Sequence, residues 1–163
     1  MNTLIFTFII GIGATAAMDL WGVVRQPLLG VAPPNYGLVG RWFAHMARGR
    51  FRHESIAASA PMRGEHLIGW TAHYLIGIAF AALLISIWGG EWLRQPTMGP
   101  AIAVGMGTVV APFLIMQPGM GAGIAASRTP RPASARVQSL ITHAVFGLGL
   151  YATGWVMHFF YSS

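Results

Sequence analysis

Four stretches of the chain, roughly 3–24, 67–89, 97–117 and 138–160, are almost continuously apolar, and the charged positions lie between them. Residues 3–24 hold one charge, Asp19, while 66–90, 97–127 and 137–163 hold none apart from histidine. An α-helix rises ~1.5 Å per residue, so ~20 apolar residues cross the hydrocarbon core of a bilayer. The pattern predicts an all-α polytopic membrane protein, a four-transmembrane-helix bundle forming one integral membrane domain over 1–163. The first span resembles a secretion signal in its small residues but lacks a basic leader, and Asp19 and Trp21 make poor neighbours for a cleavage site. It is expected to stay as a helix.

The connections carry different patterns. QPLLGVAPPNYG (26–37) is punctuated by proline and glycine and should be irregular. LVGRWFAHMARGRFRH (38–53) has a helical period, with Arg41, His45, Arg48 and Arg52 on one face and Leu38, Val39, Trp42, Phe43 and Met46 on the other. That predicts an amphipathic surface helix with Arg41, Arg48 and Arg52 toward anionic lipid headgroups or other anions, weakened in its second half by Gly49. In the third span Gly99, Ala103, Gly107 and Ala111 recur at every fourth position, and Gly11, Thr15 and Gly22 stand near one stripe of the first. Such small-residue faces let helices approach closely in lipid. Pro112 should kink the third span, since its ring removes a hydrogen bond and clashes with the preceding turn.

AHYLIGIAFAA (72–82) and THAVFGLGLYA (142–152) match in placing a histidine four residues before a glycine, His73 with Gly77 and His143 with Gly147. GIGAT (11–15) resembles GMGT (105–108), and RQPLLG (25–30) resembles MQPGMG (116–121). These matches predict two helical-hairpin repeats in the same orientation, related by an axis along the membrane normal.

Composition sharpens the picture without changing it. Hydrophobic residues are 55% and charged residues 9%, against about 25% charged in soluble domains. With no cysteine, disulfides and thiolate metal sites are excluded. All 10 basic residues are arginine, and their placement speaks to topology rather than to nucleic acid. Arg25, Arg41, Arg48, Arg50, Arg52 and Arg63 precede the second span, Arg128, Arg131 and Arg136 precede the fourth, and only Arg94 lies between the second and third. The positive-inside rule therefore puts loops 25–65 and 118–137 in the cytoplasm and both termini outside.

In that orientation Asp19, His73 and His143 fall about 9–12 Å from the cytoplasmic boundary, on three different spans. Gln117 and Thr142 lie close to the same layer, with Glu65 and His66 just above it. A charge in hydrocarbon costs at least ~2.5 kcal/mol, so such residues face the interior and find partners, and Asp19 is expected to pair with one histidine. Three chemistries suit this layer. It can be interhelical hydrogen-bonding glue. It can be a proton or ion relay serving small-solute transport, in which case one bundle leaves little interior and a homodimer is expected. Alternatively His73 and His143 can ligate a non-covalent haem b or a metal, each glycine leaving room for a flat ring; no CxxCH attachment motif is present. A fourth reading places an enzyme acting on a lipid phosphate at His45, His53, Glu54, Glu65 and His66, unsupported by any nucleophile, HExxH or phosphate-loop motif. No catalytic residue is therefore assigned.

GRWFAHMARGRFRHESI, GWTAHYLIG, APFLIMQPGMGAGIAASRTP and THAVFGLGLY together resemble a family of bacterial inner-membrane proteins known as domain of unknown function 2938. The resemblance spans nearly the whole chain. It implies a four-helix protein of the bacterial inner (cytoplasmic) membrane and no established activity, cofactor or catalytic residue.

Overall fold

The structure, a computed structural model, describes residues 3–162. Five helices account for most of them: α1 (Thr3–Leu29), α2 (Tyr36–Met46), α3 (Glu65–Arg94), α4 (Met98–Met120) and α5 (Pro132–Ser162). All but α2 are long and apolar enough to cross a membrane. Only 28–33% of each apolar window is buried inside the protein, and Leu4, Leu20, Leu28, Leu67 and Phe159 each expose more than half of their surface. Apolar surface left open on this scale is what lipid covers.

The helix ends follow local chemistry. α1 continues past the expected end at 24, carrying Pro27 within its last turn, and Gly30 stops it in the left-handed conformation (φ 66°), its N–H reaching the Gln26 carbonyl at 3.0 Å. Asn35 caps α2, its side chain accepting from the Gly37 N–H at 3.0 Å. α3 breaks its helical geometry at Gly89 (φ 70°), where the expected span ended, and then runs on to Arg94. The predicted kink at Pro112 takes the form of a π-helical turn over Pro112–Met116, the wider turn absorbing the bond that proline cannot make. α2 is shorter than the helix expected over 38–53. It ends at Met46, and Gly49 (φ 77°) turns the backbone away, so Arg48 and Arg52 stand outside it.

The chain forms two compact units. One holds the chain up to Pro33, Tyr74–Thr108 and the chain from Ile141; the other holds Pro34–His73 and Val109–Leu140. In the first unit, four helical segments surround a core that includes Phe6, Ile10, Leu84, Trp92, Phe146 and Leu150. Its helices meet through glycine. A Cβ on Gly11 would lie 2.5 Å from Ile78 Cα, one on Gly105 2.5 Å from Gly147 Cα, and one on Gly77 would strike Thr15 Oγ1. The stripe expected on α1 is buried as read, at Gly11, Thr15 and Gly22. The stripe expected on the third span is not the packed face. Gly99 and Gly107 have nothing within 4 Å of an added Cβ, whereas Ala101, Val104, Gly105 and Thr108 are buried. Both faces carry small residues, and the partner helix's shape selects between them.

In the second unit α2 is packed rather than laid along a surface. Gly40 meets the backbone of Glu65 and Gly69, and Trp42 (5% exposed) covers Gly119 while its Nε1 donates to the Phe51 carbonyl at 3.0 Å. The segment after α2 is tied to the end of α4 by backbone bonds from His53 to Gly119 and from Ile56 to Met120, each 3.0 Å.

Candidate functional site

The first unit holds most of the polar groups expected inside the spans. Asp19 on α1 accepts from the Tyr74 hydroxyl, Oδ2 to Oη 2.9 Å. Arg25, read from the sequence as a loop residue marking the cytoplasmic side, is instead helical and only 6% exposed. Its Nη1 donates to Thr142 Oγ1 at 3.2 Å and its Nη2 to the Ala32 carbonyl at 3.0 Å. The sequence did contain a signal for this. Thr7, Gly11, Ala14, Gly22 and Arg25 follow one another at helical spacing along the buried stripe of α1, and Arg25 extends that stripe by one more turn.

His143 is fixed by α4. Its Nδ1 lies 3.1 Å from Thr108 Oγ1 and 3.3 Å from the Gly105 carbonyl, and Thr108 Oγ1 donates to that same carbonyl at 2.7 Å. The threonine proton is thus committed, so Nδ1 carries its own hydrogen and donates. His73 belongs to the second unit. Its Nε2 is 2.9 Å from the Tyr36 hydroxyl, its ring stacks on Tyr36 at a centroid distance of 4.2 Å, and Trp70 stands edge-on at 6.0 Å. Gln117, on α4 in the same unit, has a buried Oε1 without a hydrogen-bond partner among the described residues.

The space that haem ligation would need beside the two histidines is filled. Gly77 is pressed on Thr15, and a Cβ on Gly147 would lie 3.0 Å from both the Ala101 carbonyl and Ile102 Cα. These glycines admit neighbouring helices, not a flat ring. Among the described residues no cluster of three His, Asp or Glu side chains is placed to hold a metal ion.

The arginines expected to face anions divide. Arg41 is turned inward, a correction to the surface-helix reading. Its Nε and Nη2 grip Glu65 at 2.8 Å each, and its Nη1 donates to the carbonyls of Ala57 at 3.2 Å and Ser59 at 3.1 Å. A carboxylate matched by this planar fork takes the guanidinium away from lipid. Donating to the Glu65 carboxylate also raises the Arg41 pKa above its ordinary value. Arg48 and Arg52 are exposed. Two histidines of the second unit, His45 in α2 and His53 in the segment after it, are buried. His45 (8% exposed) has Nε2 3.1 Å from the Ala60 carbonyl, and His53 (6%) has Nδ1 3.3 Å from the Gly119 carbonyl. Their rings meet edge to face at 5.0 Å. Glu54 and His66 are exposed.

The geometry is thus that of a largely apolar helical protein in which Asp19, Arg25, His73 and His143, inside its candidate spans, each meet a hydroxyl. Neither curated proteins nor solved structures yield a match to it. The family described as "Protein of unknown function (DUF2938)" does match, over residues 8–157, and the chain belongs to that family.

Proposed function

We propose that this chain is a multi-pass protein of the bacterial inner membrane that moves a proton or a small polar solute along the polar groups of its first unit. The observation that carries the reading is α1, which brings both a carboxyl and a guanidinium group into an otherwise apolar span. Asp19 is bonded to Tyr74 and Arg25 to Thr142. Ionisable groups are expensive at such positions and in membrane proteins commonly mark ion or substrate pathways. His143 with Thr108 adds a titratable group on the α4–α5 side of the same unit. Two sequence features extend the proposal. The arginine distribution places loops 25–65 and 118–137 in the cytoplasm. The repeat reading is supported by Thr15 and Thr108, which close GIGAT and GMGT and each donate to the carbonyl of the motif's first glycine at 2.7 Å, four and three residues back respectively.

The test is flux. Full-length protein reconstituted in vesicles enclosing a pH-sensitive dye should dissipate an imposed pH gradient faster than empty vesicles. Asp19→Asn, which keeps size and hydrogen-bonding capacity, should abolish the excess rate while leaving thermal unfolding in detergent close to the parent. Equal flux in parent and variant, or none in the parent with a panel of small polar solutes, defeats the proposal and leaves these residues as interhelical glue.

A further inference from the structure

The second unit contains a cavity of about 490 Å³ whose lining includes Arg52, His53, Glu54, Pro118, Ser127 and Arg128, Pro118 belonging to the end of α4. We infer that it is a binding site for a phosphate group, free or carried on a lipid headgroup, held by the guanidinium groups of Arg52 and Arg128 with the imidazole of His53 beneath them.

Three independent observations converge. First, neither Arg52 nor Arg128 has an ion pair or side-chain hydrogen bond among the described residues, in contrast to Arg41, which is fully engaged. Second, His53 is 6% exposed and its Nε2 is buried with no hydrogen-bond partner among the described residues. Its Nδ1 faces a carbonyl, which only accepts, so Nδ1 carries a hydrogen and Nε2 is left as an acceptor, able to take a hydrogen bond from a P–OH of inorganic phosphate or of a phosphomonoester headgroup. A buried polar atom without a partner requires an explanation, and a bound water, ion or ligand is a common one. Third, the walls are built. The His53 N–H and Nδ1 both reach the Gly119 carbonyl, and Arg136 Nε donates to the Ala125 carbonyl at 2.8 Å. Ala125 (φ 47°) and Ala126 (φ 59°) are held left-handed, a conformation alanine adopts only where its surroundings impose it and one that recurs at ligand clamps.

The chemistry selects the ligand class. Guanidinium groups recognise phosphate through paired N–H donors, and the Ser127 side chain adds a hydroxyl to the lining. Glu54 supplies the one carboxylate of that lining and opposes an anion, so its neutralisation should tighten binding. This site is separate from the polar groups proposed for transport, and its test does not depend on the flux assay.

Full-length, delipidated protein in dodecyl maltoside is titrated with inorganic phosphate by calorimetry. Saturable binding is expected, weakened about tenfold or more in the double variant Arg52→Gln/Arg128→Gln, tightened in Glu54→Gln, and unchanged in Arg48→Gln. All four side chains are exposed, and matching thermal melts verify that the variants fold. In parallel, nanodiscs of phosphatidylcholine are compared with nanodiscs that also contain phosphatidic acid. Phosphatidic acid stabilisation that disappears in the double variant assigns the phosphate to a headgroup, while a double-variant effect confined to the inorganic-phosphate titration assigns it to a soluble ligand. Double-variant binding equal to the parent, an equal loss in Arg48→Gln, weaker binding in Glu54→Gln, or no saturable response to either probe overturns the site.

Discussion

Gly105→Ala tests whether helix contact in the first unit depends on backbone meeting backbone. The added methyl carbon would lie 2.5 Å from Gly147 Cα, 2.6 Å from Gly147 N and 2.8 Å from the His143 carbonyl. Carbon atoms rest at about 3.5–4.0 Å, so α4 and α5 must part by about 1 Å. No rotamer change relieves the clash, because the atoms in the way are main chain. Overpacking of this kind costs about 1–3 kcal/mol. The same displacement stretches the 3.1 Å contact between His143 and Thr108 beyond hydrogen-bond range, a further loss of about 1 kcal/mol. Replacing a helical glycine by alanine returns about 0.5–1 kcal/mol. The net expectation is destabilisation by about 1–3 kcal/mol. Gly107→Ala is the internal control, because an added Cβ there meets nothing within 4 Å. It should be neutral or stabilising by up to about 1 kcal/mol. Unfolding in mixed dodecyl maltoside–SDS micelles, followed by tryptophan fluorescence, measures both variants. If Gly107→Ala is as destabilising as Gly105→Ala, or if Gly105→Ala has no effect, the assignment of the packed face of α4 is refuted.

Two further outcomes follow from the second unit and from the arginine distribution. Arg41→Gln should loosen the segment held through the carbonyls of Ala57 and Ser59, seen as faster proteolysis between 47 and 64, while Arg48→Gln should leave cleavage unchanged; equal protection in both variants would mean that the Glu65 pair does not order this segment. Reporter fusions at Arg48 and Ser134 should register the cytoplasm and a fusion at the C-terminus the outside, and a cytoplasmic C-terminus would refute the orientation.

The sequence alone determined the number, kind and approximate extent of the apolar helices, because crossing a bilayer imposes a length and a composition that are written in contiguous residues. It also located punctuation whose effect is local, namely Gly49 and Pro112, each of which alters the backbone where it stands. It singled out Asp19, His73, His143 and Thr142 as polar residues in need of partners, and the structure gives each a hydroxyl or guanidinium from another segment. Which partner was not legible. Asp19 and Tyr74 are 55 positions apart, Arg25 and Thr142 117, and nothing in the intervening residues encodes their meeting. The packed face of α4 was hidden for a related reason. A helix that is apolar all round carries no periodic signal for its buried side, and its small residues line more than one face. In water the hydrophobic effect would mark the buried side; in lipid, shape does, and shape exists only once the neighbouring helix is in place. Arg41 makes the same point at the surface, since its spacing suited a basic stripe until folding put the Glu65 carboxylate 2.8 Å away.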